Sequence, residues 1–258
     1  MGRLDGAQRS VETTGVPIVI FGQLTIDELG PTSAHEPRVE YAGDAPYTAV
    51  GAAIWRRPVG LVAAAADDFD VARLGALERF GIDQRGVRRR GARSIRYRVI
   101  YEQDGARRFE ERSPHVAFHE TAPEMADLPE AWHAARGFHV AAMPLESAER
   151  IVDGLSDSNP DALITLDTHE DEVGGRQESL ARLLPRLSAF LPSQEEVATL
   201  LGFDDPSRAI GELARLGARV TVIKMGAEGA LVHDATADAT WLVRPHPGPV
   251  VDPTGAGD

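Results

Sequence analysis

Asp252-Pro253-Thr254-Gly255-Ala256-Gly257-Asp258 is the stretch around which the rest of the sequence is organised. It follows an apolar approach at 249–251 and places two glycines and an alanine between two aspartates. Glycines at a turn let the backbone approach a ligand closely and point several N–H groups at one place. A helix after such a turn would aim the positive end of its dipole at the same place. The stretch therefore predicts an anion cradle, with a carboxylate that could take a proton from a hydroxyl beside a bound phosphate.

The composition narrows the class of protein. The chain has 258 residues and a formal net charge of -13, which argues against binding to nucleic acid or to an anionic membrane surface. It contains no Cys, which excludes disulfides, thiolate metal sites and a Cys nucleophile. No apolar run is long enough to span a bilayer. Residues 1–15 are polar and Gly-rich and are predicted to be a disordered leader, and we expect a cytoplasmic globular protein.

Short apolar runs alternate with helical patterns along most of the chain. The predicted strands are 17–21, 59–65, 138–141, 162–166, 189–191 and 220–223. The predicted helices are 47–55, 70–80, 147–155, 180–187 and a last one that Ser207 caps. Strands that alternate with helices at this spacing predict an α/β fold, with a doubly wound, mostly parallel sheet and helices on both of its faces, over residues 16–258.

A segment with a different period interrupts this series. Apolar and polar residues alternate over 95–102, Asp104-Gly105 is a hairpin turn signal, and 107–112 is the predicted returning strand. An antiparallel hairpin inserted into a βα series is either a lid over a site at the sheet edge or a flap that forms a dimer. We predict a small β lid from about 28–41 and 93–113.

Several acidic residues allow both a structural and a functional interpretation. Asp27 lies beyond the first strand, where open α/β sheets bind ligands, and is equally a solvated loop residue. The pair Asp67-Asp68 is interpreted as a dipole partner of the following helix rather than as a catalytic pair. Ser193 and Glu196 have the spacing of a capping box, and Glu196 could also hold Mg²⁺ through water. These two roles of Glu196 are compatible.

Six motifs, in one order along the chain, resemble those of the ribokinase-like (phosphofructokinase-B-type) carbohydrate and nucleoside kinases. The terminal stretch 252–258 is similar to the catalytic signature of that family and is the most specific of the six. The other five, weaker singly, are Gly22-x-x-x-x-Asp27, Ala42-Gly43-Asp44-Ala45-Pro46-Tyr47, Gly81-Ile82-Asp83, Pro192-Ser193-Gln194-Glu195-Glu196 and Lys224-Met225-Gly226-Ala227-Glu228-Gly229. Together they cover nearly the whole chain.

The resemblance implies an ATP-dependent phosphotransferase that uses Mg²⁺, and a monovalent cation as a further candidate, to phosphorylate a hydroxyl of a sugar, polyol or nucleoside. Asp258 would be the general base, and the backbone of Gly255, Ala256 and Gly257 would be the anion hole. The implied binding residues are Asp27, Gly43 and Tyr47 for the substrate, Lys224, Gly226 and Gly229 for the nucleotide, Glu196 for Mg²⁺ through water, and Asp252 for a monovalent cation.

The sequence also departs from the family pattern. Ala42 replaces the first glycine of the glycine pair, Tyr47 replaces a substrate-binding Asn, and Ser193 replaces an Asn. The family continues with a helix after the catalytic aspartate, so a chain ending at Asp258 is expected to be weakly active or inactive. The alternative is a non-catalytic ligand-binding or regulatory protein on a kinase fold. A homodimer formed through the lid is a further expectation.

Overall fold

The computed structural model describes residues 16–30, 37–101, 107–114, 116–249 and 254–258. The strands in these ranges are β1 Ile18–Phe21, β2 Thr25–Gly30, β3 Arg38–Ala42, β4 Val59–Ala65, β5 Ile82–Arg89, β6 Ile95–Tyr101, β7 Arg107–Glu111, β8 Gly137–Val140, β9 Leu163–Leu166, β10 Ala189–Phe190, β11 Val220–Lys224, β12 Ala230–Asp234 and β13 Ala239–Val243. The α-helices are α1 Asp44–Trp55, α2 Val116–Glu120, α3 Leu145–Ser158, α4 Glu170–Val173, α5 Gln177–Leu183, α6 Gln194–Leu201 and α7 Pro206–Arg215. The leader predicted for residues 1–15 lies outside the described ranges.

The main sheet has nine strands in the order β13-β12-β11-β10-β9-β8-β1-β4-β5. All neighbours from β10 to β5 pair in parallel, and only β12 and β13 are antiparallel to their neighbours. Successive residues of β1 serve opposite faces: Val19 joins the core beneath α3, whereas Ile20 joins the core beneath α1. The predicted doubly wound, mostly parallel sheet with helices on both faces is confirmed.

A second sheet of four strands has the order β3-β2-β6-β7. Strand β2 pairs antiparallel with β3 and parallel with β6, and β6 pairs antiparallel with β7. The predicted hairpin strands are therefore confirmed, although their turn at Asp104-Gly105 lies outside the described part of the chain. Asp27 is a residue of β2 and not of a loop.

Two helix starts differ from the sequence prediction. Residues 71–80 form a 3-10 helix whose cap is Asp70, and Asp68 instead accepts hydrogen bonds from the amide (2.7 Å) and hydroxyl (2.6 Å) of Ser94. The dipole role predicted for Asp68 is wrong, because its carboxylate binds Ser94 and Arg96 instead of the helix start. Helix α7 is capped by Asp205, so the assignment of its cap to Ser207 is wrong. Every helix in the described ranges is too short or too polar to cross a membrane.

Candidate active site

The loops that follow β1 and β8 meet at the carboxyl end of the main sheet. Strand β1 pairs with β4 on one side and with β8 on the other, so this is the point where open α/β sheets form a ligand crevice. Gly22 follows β1, and a Cβ placed on it would lie 2.9 Å from Cβ of Ala45 and 3.0 Å from Cβ of Ala141. The close approach of these backbones requires glycine at position 22.

A glycine and an acid open helix α1 beside this crevice. Gly43 has φ 121°, and a Cβ there would lie 2.3 Å from the carbonyl oxygen of Gln23. Oδ1 of Asp44 accepts hydrogen bonds from the amides of Gln23 (2.8 Å) and Ala45 (2.7 Å). Enclosure by protein and then the negative charge of Asp258 raise the pKa of Asp44 well above its usual value. Asp44 therefore faces the catalytic aspartate predicted from the sequence, a neighbour that sequence reasoning missed.

The terminal turn lies against the start of α1. Gly255 has φ 72°, and the Asp258 amide donates a hydrogen bond to the Gly255 carbonyl oxygen (3.3 Å). A Cβ on Gly255 would lie 2.5 Å from Cγ of Tyr47, so the turn packs on the tyrosine ring. Ala256, Gly257 and Asp258 are exposed, and no described atom lies within 4 Å of a Cβ placed on Gly257. One side of the turn is thus supported and the other is open. Asp252 lies outside the described ranges.

Asp27 enters the crevice from the second sheet. Its side chain is buried, with the residue 8% exposed, and its Oδ1 has no hydrogen-bond partner in the described structure. Burial, reinforced by the neighbouring carboxylate of Glu40, raises the pKa of Asp27 to about 6. Tyr97 lies directly opposite Asp27 on β6. Burial and then the charges of Glu111, Asp27, Asp171 and Asp44 raise the pKa of Tyr97 to about 12, so Tyr97 lies within electrostatic reach of both Asp27 and Asp44.

Two further carboxyl groups occupy the ends of β9 and β10. Asp167 forms an ion pair with Lys224, and Glu196 accepts a hydrogen bond from the Thr168 hydroxyl (2.6 Å). Burial and then the charge of Asp167 raise the pKa of Glu196 to about 7. The Ser193 hydroxyl accepts the Glu196 amide (3.2 Å), so the predicted cap is confirmed. The Glu196 side chain, however, turns to Thr168, because that hydroxyl lies at the end of the neighbouring strand.

The carboxyl groups of Asp167 and Glu196 could bind a hard cation whose remaining ligands are substrate phosphates and water. Within the described residues no three His, Cys, Asp or Glu side chains converge as a metal cage. Mg²⁺ needs few protein ligands when substrate phosphates and water complete its octahedron. The carboxyl groups of Asp167 and Glu196 lie at neighbouring strand ends, and their oxygens are the hard ligands that Mg²⁺ prefers, so the residues fit a magnesium site of this open type.

The residues predicted for the nucleotide lie beside the end of β11. The Lys224 ammonium pairs with Asp167, and Gly226 is exposed with no described atom within 4 Å of its Cβ position. Gly229 is different: a Cβ there would lie 2.1 Å from the Val243 carbonyl oxygen, so it packs against β13. An open cleft of about 630 Å³ adjoins Gly226. The residues lining it are Glu170, Gln194, Glu195, Ala198, Thr199, Asp204, Met225, Gly226 and Glu228.

Comparisons with known proteins agree with this fold. The family described as "pfkB family carbohydrate kinase" matches residues 18–258. The cytidine kinase of Thermococcus kodakarensis is 27% identical over 244 residues, which are 93% of this chain and 84% of that protein. The crystal structure of a PfkB protein from Polaromonas sp. JS666 superposes with a TM-score of 0.71 at 23% identity, over 94% of this chain and 85% of that one. An E. coli protein assigned as a ribokinase II, solved with ATP and Mg²⁺, gives a TM-score of 0.69 at 19% identity, over 93% and 82% of the two chains.

Proposed function

The chain belongs to the pfkB family of carbohydrate kinases, and from that premise we propose that it transfers the γ-phosphoryl group of ATP to a hydroxyl of a sugar, polyol or nucleoside. The observation that carries the proposal is the turn 254–258, which is supported on Tyr47 and open on its other side. An open glycine turn beside an acid joins an anion site to a proton acceptor. The similarity to a cytidine kinase keeps nucleosides among the candidate acceptors.

In the proposed reaction, Asp258 accepts the proton of the acceptor hydroxyl as that oxygen forms a bond to the γ-phosphorus. The bond between this phosphorus and the bridging oxygen of ADP breaks, and ADP leaves with the electron pair. The backbone N–H groups of Gly255, Ala256 and Gly257 stabilise the charge on the transferring group. ATP supplies the phosphoryl group, and Mg²⁺ neutralises charge on its phosphates.

The acceptor would bind between the two sheets. The free oxygen of Asp27 accepts a hydrogen bond from a substrate hydroxyl, which would remove the cost of leaving that buried atom unpaired. Gly43 allows the backbone to approach the same substrate. The second sheet, which carries Asp27, would close over the acceptor and exclude water from the transferring group.

The nucleotide would lie on the other side of the terminal turn. Glu196 would orient Mg²⁺ through water, next to Asp167. Gly226 leaves the cleft open to the nucleotide, and Gly229 shapes the same turn from behind. Lys224 would stand near the phosphates, held by its ion pair with Asp167. A monovalent cation at Asp252 remains part of the proposal.

The proposal is tested by ATP consumption over a panel of ribose, fructose, cytidine, adenosine and glycerol, in a chain that continues beyond Asp258 with the helix of the family. The Asp258→Asn variant of this longer chain is compared with its unaltered form. We expect turnover with at least one acceptor, and a loss of about 10²–10⁴-fold in the variant because the proton acceptor is removed. The affinity for an unreactive ATP analogue, measured by calorimetry, should change by less than about twofold, because Asn keeps the shape of the turn.

Asp157→Asn is the matched control, since Asp157 is exposed on α3 and outside the site. Its turnover should equal that of the unaltered chain. Equal turnover of the Asp258→Asn variant would contradict the role of the base. Binding of both the analogue and an acceptor without any turnover would favour the non-catalytic alternative.

A further inference from the structure

Tyr47 is the residue that lies nearest to the Cβ position of Gly255 in the terminal turn. Cβ placed on Gly255 would lie 2.5 Å from Cγ, 2.8 Å from Cδ1 and 2.9 Å from Cβ of Tyr47. These distances are shorter than any that real Cβ atoms adopt, so the ring occupies the space that a side chain at position 255 would need. Gly255 also has φ 72°, where other residues are strained. Two independent constraints therefore require glycine there, and one of them is the ring.

The same turn of α1 supports the rest of the crevice. The Tyr47 amide lies 3.5 Å from the Gly43 carbonyl oxygen, within the first turn of the helix. Gly43 packs on the backbone at Gln23, and Asp44 is tied to that backbone by a hydrogen bond of 2.8 Å. The acceptor side and the phosphoryl side thus share one support. A displacement of Tyr47 would move the terminal turn relative to the acceptor loop.

We propose that Tyr47 is a positioning residue: its ring supports Gly255 and sets the direction in which the Asp258 carboxylate and the N–H groups of the turn point. This inference rests on the proposed kinase function for its kinetic consequence. It also changes the role predicted for position 47 from the sequence, which was contact with the acceptor. A misplacement of about 1 Å at a reacting centre can cost about 10²-fold in rate.

A double-mutant cycle between Tyr47→Ala and Gly255→Ala tests the contact. We expect Tyr47→Ala to lower kcat by about 10–100-fold while KM for ATP changes less than about threefold, because positioning is lost and binding is kept. Gly255→Ala should be more damaging in the unaltered chain than in the Tyr47→Ala background, where no ring opposes the new methyl group. Tyr47→Phe keeps the ring and should stay within about threefold of the unaltered chain.

Two controls separate this from a general effect on the fold. Gly257→Ala lies in the same turn with no described atom within 4 Å, so its cost should be the same factor in both backgrounds. Trp55→Ala removes an aromatic ring from the far end of α1, where the residue is 88% exposed, and should leave kcat unchanged. Effects of Tyr47→Ala and Gly255→Ala that simply multiply would overturn the proposal.

A readout that does not need turnover separates this proposal from the proposed function. In ¹H–¹⁵N spectra of the folded chain, Tyr47→Ala should shift the amide signals of Gly255 and Asp258 and speed their hydrogen exchange. Trp55→Ala should leave those signals in place. If no acceptor is phosphorylated but the signals shift, the kinase proposal fails and the positioning role of Tyr47 is supported. If turnover occurs and the signals stay unchanged in the Tyr47→Ala variant, the proposed positioning role of Tyr47 is wrong.

Discussion

At the scale of single residues, the burial of Asp27 destabilises the folded protein, and the fold alone does not explain why this residue is there. It is buried with one oxygen unpaired, and it lies directly opposite Glu40 in the second sheet. Like charges opposite each other destabilise an antiparallel pair. Residues that break such local rules are characteristic of functional sites. We interpret the unpaired oxygen as one that a substrate hydroxyl satisfies.

Asp27→Asn should therefore stabilise the protein and weaken acceptor binding. The pKa of Asp27 is raised to about 6 in the folded state, so the folded protein binds the proton more tightly than the unfolded chain does. The destabilisation is absent below the unfolded pKa and complete above the folded one. We expect the free energy of unfolding of the variant to exceed that of the unaltered chain by about 3 kcal/mol at pH 7.5, and by less than about 1 kcal/mol at pH 4.

Urea unfolding at these two pH values measures the effect, and KM for the acceptor should rise in the same variant. A gain in stability that is equal at both pH values would show that ionisation of Asp27 is not its cause.

The chemistry at Asp44 and Tyr47 shows what could not be predicted from the sequence. Both residues were visible in the glycine-pair motif, where Tyr47 replaces an Asn, but their neighbours Gly255 and Asp258 lie more than 200 positions later. Only the packing of the terminal turn on α1 brings them together. Glu196, by contrast, could be predicted as a candidate because a cap and a strand end are both local signals.

At the scale of elements, prediction succeeded where burial is uniform. Strand β4 was predicted with its observed bounds because all seven of its residues are buried. Strand β6 was predicted from a different signal, the alternation of apolar and polar residues over 95–102, and is observed at Ile95–Tyr101. The prediction of the cap of α7 failed because Asp205 and Ser207 are both residue types that cap helices well. Pro206 between them is the signal that decides, since proline favours the first helical position and leaves the cap to the residue before it.

The cap of α7 gives a prediction at this scale. Oδ1 of Asp205 accepts hydrogen bonds from the amides of Ser207 (3.0 Å) and Arg208 (3.1 Å). Asp205→Ala should lower the free energy of unfolding by about 1 kcal/mol, because two amides lose their acceptor. Ser207→Ala is the matched control and should change it by less than about 0.5 kcal/mol. Thermal unfolding of both variants measures the difference, and a larger loss in the serine variant would contradict the assignment.

At the scale of the whole molecule, the negative charge of the protein opposes binding of the proposed nucleotide, which is also negatively charged. The formal net charge is -13, and the cleft beside Gly226 is lined by four carboxylates: Glu170, Glu195, Asp204 and Glu228. A backbone cradle can bind phosphate without basic side chains, but only if the remaining repulsion is neutralised. In the proposed function, a divalent cation that enters with the phosphates would supply that neutralisation.

Removal of Mg²⁺ with a chelator should therefore weaken ATP binding by at least about tenfold, a factor that corresponds to about 1.4 kcal/mol. Adenosine is the control ligand, because it carries no phosphate, and its affinity should not depend on Mg²⁺. Calorimetric titration of both ligands with and without the chelator measures the contrast. ATP binding of equal affinity in the two buffers would refute this account of the cleft.

The position of β1 between β4 and β8 also decides when the crevice can exist. Strands β8 to β11 pair in sequence order, but β1 must wait for β8, about 120 residues later along the chain. At roughly 5–20 residues per second, a ribosome delivers that partner some 6–24 s after β1 has emerged. During this interval one edge of the most buried strand pair is open to other chains. The crevice at Gly22 therefore cannot close before Ala141 has been synthesised, whereas the terminal turn that borders it waits for residues 254–258.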